Sequence, residues 1–124
     1  MIEAIADMPG GTLGFRVTDE LTDSDYADVF APRLRDAAVA GEVRLLMVAA
    51  KGFDIGSLRG RFEAARSDPD LDLGHSKDWR RVAIVADAGL LFRRSFPVFA
   101  RIIPVDMKLF GSGDEAEART WLTA

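Results

Sequence analysis

The sequence predicts an α/β fold: a five-stranded mixed, mostly parallel sheet with an N-terminal antiparallel hairpin and four helices, in the order β-β-α-β-α-β-α-β-α. Three observations predict it. The runs Val43 to Ala50 (VRLLMVAA) and Val82 to Ala86 (VAIVA) are almost wholly apolar, as parallel strands covered on both faces require. Around them, apolar residues recur at three- and four-residue spacing, the period of a helix with one buried side. The chain opens with two short extended runs flanking Pro9-Gly10-Gly11, and tandem glycines between extended runs read as a hairpin.

Taken in order, Ile2 to Ala6 and Thr12 to Thr18 form the hairpin, with Leu13, Phe15 and Val17 alternating with Gly14 and Arg16 as in a half-buried strand. Thr22 or Ser24 then caps a helix, with Asp23 and Asp25 near the positive end of its dipole. Tyr26, Val29, Phe30, Leu34, Ala37 and Ala38 share one face of that helix. Pro32 lies inside it, has no N–H for the Asp28 carbonyl, and predicts a kink. Gly41 supplies the C′ position. After the strand Val43 to Ala50 comes a turn, Lys51 to Asp54, and a second helix striped by Leu58, Phe62 and Ala65. Ser67 to Asp78 is a polar loop, and Arg81 to Asp87 is the second buried strand. Leu90 to Ile103 is the third helix, with Pro97 in its middle, and Asp106 to Phe110 is the last strand. Ser112 and Glu115 have the spacing of a capping box ahead of a final helix, Glu115 to Leu122.

A length of 124 residues suits one domain spanning 1–124. With 48% hydrophobic and 29% charged residues, the chain falls in the globular range. A net charge of −4 and a pI near 4.9 disfavour nucleic acid as a partner. The absence of cysteine excludes disulfides, thiolate catalysis and cysteine-ligated metal sites. No basic segment followed by an apolar stretch opens the chain, and no apolar run approaches a bilayer span. The expectation is a cytoplasmic protein without membrane insertion.

The segments Trp79 to Asp87, Lys108-Leu109-Phe110 and Glu115 to Leu122, taken with the element order, resemble the SpoIIAA-like family, a branch of the STAS/SEC14-type α/β domains. The resemblance covers nearly the whole chain and implies a domain that binds rather than catalyses. In STAS anti-sigma antagonists the loop after the central strand opens a helix with an Asp-Ser-Ser/Thr-Gly type motif whose hydroxyl is phosphorylated. The matching stretch here is Lys51-Gly52-Phe53-Asp54-Ile55-Gly56-Ser57-Leu58. Ser57 is its one hydroxyl and does not follow an aspartate directly, so phosphosite and plain helix cap both stay open.

The third helix carries the main candidate surface. At about 100° per residue, Arg93, Arg94, Pro97 and Arg101 fall in one arc, while Leu91, Phe92, Phe96, Val98, Phe99, Ile102 and Ile103 fill the rest. That apolar arc is about 200° wide, whereas a helix lying on one sheet face needs one nearer 100°. A neighbouring helix, a homodimer partner, another protein or a small apolar ligand would cover the excess. The resemblance favours a lipid-like ligand among these, since SEC14-type relatives bind lipids in such a region. Phe53, Ser57 and Trp79 lie beside this helix as candidate ligand or partner contacts. Arg93, Arg94 and Arg101, with Lys77, Arg80 and Arg81, are candidate anion contacts, set against a solvated polar face.

Catalysis finds no support. His75 is the sole histidine, beside Asp72, Ser76 and Asp78, and neither Ser57 nor Ser95 sits in a Gly-x-Ser-x-Gly elbow. The same loop carboxylates make a poor metal site, and no cofactor is expected. Gly111-Ser112-Gly113 precedes a helix but lacks the glycine pattern and lysine of a phosphate loop, so it reads as a strand-to-helix turn. Trp79 and Trp121, at element boundaries, read as partly buried anchors.

Overall fold

The structure, a computed structural model, describes residues 1–40, 42–53, 79–87 and 106–124. Within them five strands form one sheet in the order β1-β2-β3-β4-β5: Ile2–Ala4, Leu13–Val17, Val43–Ala49, Trp79–Val85 and Asp106–Phe110. β1 runs antiparallel to β2, and β2 through β5 are mutually parallel. The mixed sheet expected from the two apolar runs is therefore present.

The hairpin loop is built by its glycines. Thr12 N–H donates to Pro9 O at 3.1 Å across a four-residue turn whose third residue, Gly11, has φ +81. That left-handed value is the one a type II turn demands there. Gly14, inside β2, serves a different need. A Cβ on it would lie 2.6 Å from Met8 Sδ, so the loop packs directly against the backbone of β2.

A helical stretch joins β2 to β3 in three parts: α1 (Asp23–Asp25), a π-helical turn (Tyr26–Phe30) and α2 (Ala31–Ala40). Thr22, not Ser24, is the cap. Its Oγ1 accepts from Asp25 N–H and its own N–H donates to an Asp25 carboxylate oxygen, both at 3.1 Å. This is a capping box with aspartate in the place usually held by Glu or Gln. The kink expected at Pro32 takes the form of the π turn just before it. Ala31 N–H reaches back to Tyr26 O, one residue further than in an α-helix. A helix that lacks the Pro32 donor is relieved by such a local widening.

The two faces of the sheet have separate cores. On the first face Phe15, Val17, Leu45, Met47, Val82 and Ile84 meet Leu21, Phe30, Ala31 and Leu34 of the helical stretch. Phe30 lies 5.3 Å from Phe15 and 5.8 Å from Tyr26, centroid to centroid, in tilted pairs. On the second face Leu46, Ala83, Val85 and Phe110 are covered by Ala118 and Leu122 of α3 (Glu115–Thr123), with Ile5, Met8 and Trp121 at the margin.

α3 starts differently from the expected capping box. Asp114, not Ser112, occupies the cap position, and its side chain makes no capping bond. Gly111-Ser112-Gly113 forms the turn, closed by Asp114 N–H on Gly111 O at 2.9 Å. The helical stretch after β2 and α3 are the first and last of the four expected helices. The other two, over 58–66 and 90–103, and the cap Gly41 lie outside the described residues.

Candidate functional site

Parallel strands end together, and in α/β sheets the loops leaving their carboxyl ends are where binding is concentrated. Register places Val17 beside Ala49, Val48 beside Val85, and Val85 beside Phe110. Ala50 N–H bonds to Val17 O at 2.9 Å and Ala86 N–H to Phe110 O at 3.1 Å, carrying the ladder one residue past the strands. Above this rigid edge stand exposed Asp19, Glu20, Lys51, Gly52, Asp87 and Asp114. Asp19 has φ +60, a left-handed conformation that aspartate tolerates better than most side chains. Gly52 at φ +87 closes a second tight turn, with Phe53 N–H on Ala50 O at 3.0 Å.

That turn decides the orientation of the loop after β3. It leaves Lys51 in solvent and drives Phe53 inward, where it is 7% exposed within the first core. Phe53, a candidate ligand contact by sequence, is thus a core residue that anchors the loop. Ser57, Leu91, Phe92, Phe96, Phe99 and Ile103 lie outside the described residues, as do Arg93, Arg94, Arg101 and the side chain of Trp79. Trp79 itself begins β4.

The arginines preceding the apolar part of β4 are part of the structure instead of a free basic patch. Arg80 pairs with Glu42 at 3.0 Å. Arg81 stands beside Arg44 of β3 and Asp106 of β5 in register. Its guanidinium donates to Trp121 O, lies 4.9 Å from the Trp121 ring centroid, and is 3.7 Å from Asp106. Arg44 donates to Leu122 O at 2.6 Å and lies 3.6 Å from Glu42. Arg44 thus holds the Leu122 carbonyl at the end of α3, and Arg81 adds a second donor to the Trp121 carbonyl, which also accepts from Ala124 N–H at 3.2 Å. Sequence reasoning passed over Arg44. The signal was present, since a charged residue within a buried apolar run needs a specific partner.

By contrast, Asp19, Glu20, Lys51, Asp87 and Asp114 form no side-chain ion pair among the described residues. Among the described residues four acids stand here against one lysine and the Met1 amino group, which Asp25 pairs, a balance that disfavours phosphate and carboxylate groups. The turn ahead of α3 belongs to the same surface, and Glu115 and Glu117 in the first helical turn oppose an anion there. Among the described residues no group of three or more His, Asp or Glu side chains converges as a metal site. Nor is any helix among them long and apolar enough to cross a membrane.

No curated protein and no solved structure matches the chain. A family model described as SpoIIAA-like matches residues 12–123, from the start of β2 through the end of α3. With the five-stranded mixed sheet and the loops at its carboxyl edge already in place, that match makes the chain a member of the SpoIIAA-like family.

Proposed function

We propose that this chain acts as one STAS-type regulatory domain that binds a protein partner and carries out no chemistry of its own, in the cytoplasm. Its contact surface is the carboxyl edge of the parallel sheet, with the loop after β3 at its centre. The supporting observation is the contrast between the two sets of charged side chains. Glu42, Arg44, Arg81 and Asp106 are tied into the fold. Asp19, Glu20, Lys51, Asp87 and Asp114 stand exposed within a few residues of strand ends and form no side-chain ion pair among the described residues. Polar groups whose backbone is tied to a sheet bind a complementary surface with less ordering cost than those on a free chain. Their negative balance suits a basic partner and steers its approach.

The apolar excess of 90–103 favours a second reading, in which that helix takes a small lipid-like ligand or a second copy of the chain. Native mass spectrometry of protein purified from cells separates the two. The interaction reading predicts a ligand-free chain and a salt-sensitive complex with another protein. A stoichiometric apolar molecule, or a dimer alone, would transfer the function to 90–103.

A further inference from the structure

We infer that α3 is a latch: it leaves the second face of the sheet as a unit while the rest of the fold stays intact. The reasoning begins with how little holds α3 in its helical form. It has nine residues, its cap residue Asp114 makes no side-chain bond, and no basic residue lies in its last turn. Helices shorter than about 12 residues are marginal in water, so α3 is helical because it is docked. Undocking and unwinding are then one event.

Among the described residues the apolar part of that docking is small. Six residues form the buried cluster on the second face, against fifteen on the first, among the described residues. The sheet separates the two clusters, so the larger core does not depend on the smaller. What α3 lacks in apolar contact is made up by arginines at both ends. Arg44 and Arg81 hold the Leu122 and Trp121 carbonyls. Near the start, Glu115 bridges Arg16 at 3.0 Å and Arg119 at 3.2 Å, and Arg119 also reaches Asp7 of the hairpin loop at 3.5 Å. Arg16 is half exposed, so this end is weakened by salt.

Opening has a defined consequence. The parts of Leu46, Ala83, Val85 and Phe110 that Ala118 and Leu122 cover are uncovered, beside two freed guanidinium groups. Gly111-Ser112-Gly113, with a single turn bond to Asp114, is the hinge.

Hydrogen exchange on the full chain tests this independently of any partner. The backbone amides of 118–123 should exchange at least about tenfold faster than those of β3 and β4, as a separate opening unit does. An Arg44→Gln/Arg81→Gln variant should widen that gap by roughly another factor of ten, leaving β3 unchanged within about twofold. Arg81→Lys, which keeps a donor, should fall between. Exchange of α3 in step with β3 and β4 in the unmodified chain would overturn the latch. So would an equal acceleration of every element by the arginine substitutions, which would make the contacts part of the global fold.

Discussion

Asp25 is subject to opposing influences. Its partial burial acts to raise the carboxyl pKa, but hydrogen bonds from the Thr22 backbone and side chain, and then the Met1 amino group 3.3 Å away, outweigh it. The net shift is downward from the ordinary 3.8. A carboxyl held lower in the folded state contributes stability above its unfolded pKa and loses it as pH falls through the folded one. An Asp25→Asn variant should therefore unfold at lower urea than the unmodified chain near neutrality. That gap should close in strong acid, where both side chains are uncharged. A gap that persists unchanged at low pH would show that the contact acts through shape and not charge. The choice of Thr22 over Ser24 as the cap could not be made from sequence, because both hydroxyls precede the same apolar face. The distinguishing feature was Asp25, three residues after Thr22 and a poor look-alike for the usual Glu.

Between β2 and β3 a proline in a helix has been absorbed by widening one turn. A proline inside a helix costs about 3 kcal/mol relative to alanine, and the π turn over Tyr26–Phe30 relieves part of this. Pro32→Ala should restore a donor for Asp28 O and raise stability by about 1–2 kcal/mol in chemical denaturation. A loss of stability would mean that the half-buried ring of Pro32 contributes packing beyond the missing bond. Strands were the most legible elements. β3 and β4 lie within two residues of their expected spans, because nearly uninterrupted apolar runs leave little choice of structure, and the shorter, alternating β5 matches its span. Helix ends were less legible. Ser112 and Glu115 have the capping spacing, yet the Gly111 turn places Asp114 at the cap position. Sequence spacing alone does not report which backbone conformation a glycine-rich turn will take.

At the scale of the molecule, one sheet separates two cores, the larger among the described residues on the side of the helical stretch, and the charged groups sort by location. Those at the beginning of β3, β4 and β5 brace the strands and α3, and those at the carboxyl edge face solvent. That sorting was not visible in the sequence, where Arg80 and Arg81 looked like a pair with a shared role. Arg80 falls at the register shift that opens β4 and pairs with Glu42, whereas Arg81 lies in register with Arg44 and Asp106, so the two serve different ends. The inward direction of Phe53 follows the turn at Gly52, whose positive φ no periodicity encodes. The account rests on the carboxyl edge being a protein-binding surface, and site-specific photocross-linking in cells tests it most directly. A photoreactive residue at Lys51 should capture a protein in a defined, salt-sensitive band, and the same probe at exposed Thr123, at the far end of α3, should capture none. Equal capture at both positions, or capture only at Thr123, would contradict the assignment.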